Sequence, residues 1–175
     1  LAGGKKFTEQ QVRQIAIALL NILIYLHELH PPVLHKDIKP SNLIWDGNQQ
    51  LYVVDFGIRD KVCRSGGTFT VVGTYGYTPI EQFSDRAVLA SDLYALGATL
   101  IHLLTGTSPA DLPQKDLRIQ FRDRAYVNPD LVAWIERLTE PDLAKRFSNA
   151  QEAMKSLMSD ASFSSEHNKN NQLLS

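Results

Sequence analysis

The sequence predicts a mainly α-helical domain with a short β-hairpin flanked in sequence by polar, charge-bearing side chains. Three observations carry this. Apolar residues recur at helical spacing from Val12 to Leu26, from Leu93 to Leu104 and from Leu131 to Leu138. Two short β-rich runs, Leu43-Ile44-Trp45 and Leu51-Tyr52-Val53-Val54, flank the turn-forming Asp46-Gly47-Asn48. Finally, Asp37, Lys39 and Asn42 stand just before that hairpin, and a second acid, Asp55, stands just after it.

The first helix opens on Thr8-Glu9-Gln10-Gln11, a capping box, and buries Val12, Ile15, Ala16, Leu19, Ile22, Leu23 and Leu26 on a wide face. His27 and His30 near its end lack a third ligand-type partner and read as C-terminal helix residues, not as a metal site. Pro31-Pro32 ends the helix, and the chain enters the polar cluster extended. Between Asp55 and Glu81 the sequence has no period and carries Ser65, Gly66, Gly67, Thr68 and Thr70, a loop in which Cys63 reads as a spectator thiol. Ser91-Asp92 begins a helix that is apolar almost all round, the pattern of a helix inside a domain, and Thr105-Gly106-Thr107-Ser108-Pro109 closes it. Arg118, Arg122 and Arg124 alternate with Asp116 and Asp123 and read as a solvated face. Asn128-Pro129 starts a helix carrying Leu131, Val132, Ile135 and Leu138, and Ser148-Asn149-Ala150-Gln151 caps the last, with Ala153, Met154 and Leu157 facing in. From Ser159 the composition turns to Ser, Asn, Lys and Gln, which predicts a disordered tail over 159–175.

With 175 residues and 43% apolar content, the chain suits one domain with a real core. Its 18 basic and 19 acidic residues nearly cancel, so nothing indicates a nucleic-acid or anionic-membrane partner. A lone cysteine excludes an internal disulfide and fits a reducing cytoplasm. The apolar run over 15–26 is interrupted by Asn21 and is shorter than the ~20 residues that span a bilayer. No signal peptide is visible, and a start at Leu1 instead of Met is expected of a chain that begins inside a longer polypeptide.

An acid, an ammonium and an amide at these short steps are a set for handling phosphate and magnesium. Asp37 can orient a hydroxyl and take its proton, Lys39 can neutralise phosphoryl oxygens, and Asn42 with Asp55 offers hard oxygen ligands to Mg²⁺. The run Leu34-His35-Lys36-Asp37-Ile38-Lys39-Pro40-Ser41-Asn42-Leu43, followed by Val54-Asp55-Phe56-Gly57, resembles the catalytic loop H-R-D-x-K-x-x-N and the D-F-G motif of the eukaryotic-like serine/threonine protein kinases. Further signatures follow in order: Gly73-Thr74-Tyr75-Gly76-Tyr77-Thr78-Pro79-Ile80-Glu81-Gln82, then Ser91-Asp92-Leu93-Tyr94-Ala95-Leu96-Gly97, then Arg146 in Pro141-Asp142-Leu143-Ala144-Lys145-Arg146-Phe147.

The resemblance covers residues from Phe7 to about Leu157 and implies the C-terminal lobe of a bacterial-type kinase domain over 1–158. That lobe is a helical bundle with short β-hairpins carrying the catalytic loop, and the family fold brings Asn42 and Asp55 together. It further implies that Asp37 is the catalytic base, that Lys39 steadies the transferring phosphate, and that Asn42 and Asp55 hold the Mg²⁺, or Mn²⁺, of bound ATP. His35 becomes an architectural residue under Asp55-Phe56-Gly57, Asp92 a pin for the backbone of the catalytic loop, and the segment from Asp55 to Glu81 an activation segment. Thr74 takes the place of the threonine that contacts the base, which with Lys39 points to Ser/Thr hydroxyls of proteins as substrates. Glu81 and Arg146 occupy positions that form an ion pair.

Three departures stand out. Lys36 replaces the usual arginine, and its point charge lacks the bidentate fork that reads a phosphorylated loop, which argues against activation by loop phosphorylation. Ile80 stands where many relatives have proline. No G-x-G-x-x-G loop, V-A-I-K lysine or paired helical glutamate precedes Asp37, so the N-terminal lobe that covers ATP is missing and the isolated chain is expected to be inactive. The alternatives are a catalytically silent lobe acting as a binding or regulatory module, and a small-molecule phosphotransferase of related fold. The latter lacks the Lys39 spacing and the 73–81 segment.

Overall fold

The computed structural model describes residues 1, 3, 5–46, 50–55, 73–84 and 86–159. The tip of the predicted hairpin, Phe56 and Gly57, Cys63, the Ser65 to Thr70 run and the tail from 160 lie outside the described residues.

Helix α1 (Glu9–Glu28) starts where its cap dictates. Gln11 N–H donates to Thr8 Oγ1 at 3.3 Å and Thr8 N–H donates to Gln11 Oε1 at 3.0 Å, which satisfies donors that a helix terminus otherwise leaves orphaned. Its face of Val12, Ile15, Ala16, Leu19, Leu20 and Leu23 is buried against α3 (Leu89–Thr105). Between them in the chain come β1 (Leu43–Trp45) and β2 (Leu51–Val53), an antiparallel pair in the register Leu43 to Val53, and the single turn α2 (Ile80–Phe83).

Helix α3 is the centre of the molecule, buried on nearly every side between α1 and α4 (Pro129–Leu138). It begins at Leu89, two residues before the start expected at Ser91. Ser91 is the third residue of the first turn, and its Oγ accepts the Val88 N–H at 3.0 Å, so the cap comes from inside the helix. Gly106, at φ 69°, closes α3 in the left-handed conformation. Gly97 sets how closely α4 approaches, because a Cβ there would stand 2.7 Å from Thr139 Cγ2 and 2.8 Å from Leu138 Cβ.

Asn128 caps α4 by accepting from Asp130 N–H, and its own N–H donates to Glu9 Oε2 at 2.8 Å, tying the start of α4 to the start of α1. The helix over 150–159 (α5) buries Ala150, Ala153 and Leu157, and Trp134 Nε1 donates to Ala153 O. The polar stretch after α3 contains an unforeseen hairpin, β3 (Gln114–Lys115) and β4 (Arg118–Ile119), which turns through Asp116 and Leu117 at φ 50° and 63°. Arg118 pairs with Glu140 and Arg122 with Glu136 in exposed contacts, the solvated face expected there. Among the described residues, no helix is long and apolar enough to cross a membrane.

Candidate active site

The 34–42 loop is shaped by one buried carboxylate. Asp92, in the first turn of α3 and fully buried, accepts the His35 N–H at 2.9 Å on Oδ2 and the Lys36 N–H at 2.8 Å on Oδ1. Lys36 sits at φ 65°, a left-handed conformation unfavourable for a long side chain, and these two bonds hold it there. His27 Nε2 lies 3.0 Å from Asp92 Oδ2, so its proton is placed on Nε2 to donate to the carboxylate. The buried His27 Nδ1 has no partner among the described residues. Ile38, also fully buried, anchors the loop in the core.

His35 braces the loop against the hairpin. Its Nε2 bonds Val54 O at 3.3 Å and its Nδ1 accepts the Asp37 N–H at 3.3 Å, a pairing that fixes the Nε2–H tautomer. Burial pushes the His35 pKa down, against the opposing pull of Asp92, the Val54 carbonyl, Asp37 and Asp55, and so favours the neutral ring.

Three side chains converge on the Asp37 carboxylate. Thr74 Oγ1 donates to Oδ1 at 2.9 Å, Lys39 Nζ stands 2.8 Å from Oδ2, and Asn42 Nδ2 donates to Oδ2 at 3.0 Å and to the Asp37 carbonyl at 2.8 Å. Lys39 Nζ also donates to Thr74 Oγ1 at 2.8 Å, which directs the Thr74 hydrogen toward the carboxylate. Asp37 and Lys39 keep about a quarter of their side chains exposed, 25% and 23%, so the cluster is open to a reactant.

With its amide nitrogen committed to Asp37, Asn42 has its amide oxygen left for a cation. Val54 N–H donates to Asn42 O at 3.0 Å, which joins the two ends of the β1–β2 hairpin and places Asp55, at φ 57°, beside the site. One amide oxygen and one carboxylate suit a hard divalent cation that keeps several waters and gains further ligands from phosphate, the habit of Mg²⁺. No cluster of three or more His, Cys, Asp or Glu fit to hold a metal occurs among the described residues.

The far wall is α2. Gln82 Nε2 donates to Lys36 O at 2.7 Å, and Glu81 is bound to Arg146, Nη1 to Oε1 at 2.7 Å. Arg146 also donates to the carbonyls of Glu140 at 2.8 Å, Ala90 at 3.0 Å and Pro141 at 3.4 Å, and lies over the Tyr94 ring. Ser91 Oγ donates to Glu81 Oε1 at 2.9 Å. Site residues predicted from sequence and described here thus fall into one assembly: Asp37, Lys39, Asn42, Asp55 and Thr74 at the open end, with His35, Asp92, Glu81 and Arg146 behind them.

The chain matches the protein kinase domain family model over residues 1–164. It belongs to that family. It is 40% identical over 163 residues to the serine/threonine-protein kinase PknA of a Nostoc species and 32% identical over 164 residues to serine/threonine-protein kinase B of a Synechocystis species. Each alignment covers 86% of this chain but only 28% of the relative, so the chain spans little more than a quarter of the length of these kinases. Among solved structures, the kinase domain of Mycobacterium tuberculosis PknI matches 88% of this chain and 56% of its own, with TM-score 0.66 and 24% identity, which confirms a kinase fold. The mainly α architecture with short hairpins is therefore that of a partial kinase domain, from a family that uses ATP and Mg²⁺.

Three residues that contact this cluster were not singled out from the sequence. His27 faces Asp92, and its place on the apolar face of α1, four residues after Leu23, was the available signal. Ser91 and Gln82 sit beside recognised motif residues, but nothing in their spacing announces a partner.

Proposed function

We propose that this chain is the C-terminal lobe, over 1–158, of a Ser/Thr protein kinase whose full polypeptide transfers the γ-phosphate of Mg-ATP to Ser or Thr hydroxyls of protein substrates. The observation that carries this reading is the Asp37 carboxylate held at once by Thr74, Lys39 and Asn42. A carboxylate so oriented accepts the hydrogen of an incoming hydroxyl as that oxygen forms its bond to phosphorus, and the proton then passes to solvent. Lys39, free to pivot from Asp37 to a phosphoryl oxygen, offsets the negative charge carried there. Asn42 and Asp55 would supply the oxygens for Mg²⁺, or Mn²⁺ in its place. Bound Mg-ATP supplies the phosphoryl group and its leaving group. Thr74, bridging the base and Lys39, favours an alcohol substrate small enough to enter beside it. A cytoplasmic setting, where ATP is plentiful and Cys63 stays reduced, suits this chemistry.

The Asp37→Asn variant of a polypeptide carrying this chain and an ATP-covering lobe should lose roughly 10²-fold or more in kcat with ATP affinity unchanged. Retained turnover would remove Asp37 from the role of base. The 175-residue chain by itself should show no kinase activity and bind Mg-ATP no more tightly than about millimolar, since small-ligand sites bury most of their ligand.

A further inference from the structure

The turn over 73–78 that delivers Thr74 to Asp37 is fastened at its other end to α3. Tyr77 is buried, and its hydroxyl meets His102 Nδ1, with the two rings stacked at a centroid distance of 6.2 Å and an interplanar angle of 26°. With the His102 proton on Nε2, Nδ1 is the acceptor and the Tyr77 hydroxyl donates to it. The turn lies directly on the segment after α3, because a Cβ on Gly76, at φ 88°, would stand 2.6 Å from Ala110 N. From the phenol back to the base the connection is short. Tyr77 N–H donates to Thr74 O at 3.0 Å, and Thr74 Oγ1 donates to Asp37 Oδ1 at 2.9 Å.

We infer that Tyr77 and His102 are a positioning pair, whose phenol–imidazole bond sets where the 73–78 turn holds the Thr74 hydroxyl and so orients the Asp37 carboxylate. The choice of acceptor has a physical reason. Burial lowers the His102 pKa and keeps the ring neutral, and a neutral nitrogen accepts the phenolic hydrogen without the desolvation cost a carboxylate would carry there. The aromatic body of Tyr77 supplies packing that phenylalanine would supply equally, so the hydroxyl is the part with a positional task.

This inference rests on the reading of Asp37 as the base, and two independent readouts separate them. In the 175-residue chain, amide exchange by NMR reads the turn without any activity. Tyr77→Phe and His102→Leu should each speed exchange of the Tyr77 amide about fivefold to tenfold while amides in the middle of α3 stay unchanged. His102→Asn, whose side-chain oxygen can stand near the Nδ1 position, should restore exchange to within about twofold of the parent. In a polypeptide that also carries the ATP-covering lobe, Tyr77→Phe and His102→Leu should lower kcat about fivefold, with KM for ATP unchanged and His102→Asn rescuing the loss. Unchanged exchange in both Tyr77→Phe and His102→Leu, or a His102→Asn variant no better than His102→Leu, would overturn the inference. Should Tyr77→Phe fail to fold, the His102 variants at a partly exposed position decide it alone. An inactive parent with the predicted exchange pattern would count against the Asp37 reading and leave the positioning pair standing.

Discussion

Two ion pairs of the same chemistry sit in opposite surroundings. Arg146 and Glu81 have side-chain exposures of 0% and 9%, whereas Arg122 and Glu136 are at 60% and 37%. Both are short, 2.7 Å and 2.5 Å, and a list of distances alone would rank the exposed pair higher. The physics reverses the order. In water an arginine–carboxylate pair gains little over its solvated ions and is screened by salt, and many such pairs contribute nothing measurable. A buried guanidinium stripped of its partner instead strands a charge where water cannot reach it. Arg146 is surrounded accordingly: the carbonyls of Ala90, Glu140 and Pro141 accept its remaining N–H groups, and Ser91 supports Glu81. The buried pair ties the wall of the site to the core, while Arg122 and Glu136 only join the turn after β4 to the solvent side of α4.

The largest effect is expected in a double-mutant cycle. Arg146→Ala and Glu81→Ala should each destabilise the lobe by ~3–5 kcal/mol, with the double variant far from additive. The same cycle on Arg122 and Glu136 should return no coupling, and 1 M NaCl should leave the buried coupling intact. Urea denaturation measures both. Additive losses below about 1 kcal/mol at Arg146 and Glu81 would show that the tie does not exist.

Asp92→Ala should follow in size, at about 3 kcal/mol, because it removes the carboxylate that the His35 and Lys36 N–H groups donate to and releases Lys36 from its left-handed backbone. In the kinase reading the same change should also abolish turnover. Wild-type stability in Asp92→Ala would mean that water replaces the carboxylate there.

Gly97→Ala tests the other face of α3. In an open helix alanine would add about 1 kcal/mol of stability, but here its Cβ would meet Thr139 and Leu138 at 2.7–2.8 Å, so we expect a loss of ~1–3 kcal/mol as α4 is forced away. A stabilised variant would show that the α3–α4 contact is loose.

What could be read in the sequence follows the same division between near and far. Asp37, Lys39 and Asn42 fall within six positions and were legible as chemistry, and Thr8 and Asn128 announced their helices because capping is local. The Glu81–Arg146 and His27–Asp92 contacts each join residues 65 apart, a separation that leaves no periodicity to detect. The first was anticipated only through family resemblance and the second not at all. The β3–β4 hairpin was missed for a different reason. Its turn runs through Asp116 and Leu117 at positive φ, where Asn-Gly or Asp-Gly would have given the signal. Where the chain accepts local strain, local rules fail to find the element.

The smallest expected effect separates the two surroundings by pH. His35 and His102 are both lowered by burial, so between their folded values and the usual ~6.5 the unfolded chain binds more protons than the folded one. Stability is therefore full above about pH 6.5, falls as the pH drops through that window, and levels once the folded rings are protonated too. Glu152, on the exposed side, is lowered chiefly by the Ser148 N–H, with Ser148 Oγ and Arg137 adding to it, so its contribution persists well below that window and fades only as the pH falls past the usual carboxylate value of ~4.3. Urea midpoints measured from pH 7.5 to 5.0 should thus decline with a slope below the one-proton limit of ~1.4 kcal/mol per pH unit for each ring. His102→Asn removes one titrating ring while keeping an acceptor for Tyr77, and should flatten part of that decline and leave the fall below pH 4.5 untouched. A flat profile from 7.5 to 5.0 in the parent chain would mean that neither histidine is held neutral by the fold, and an unaltered slope in His102→Asn would assign the whole effect to His35.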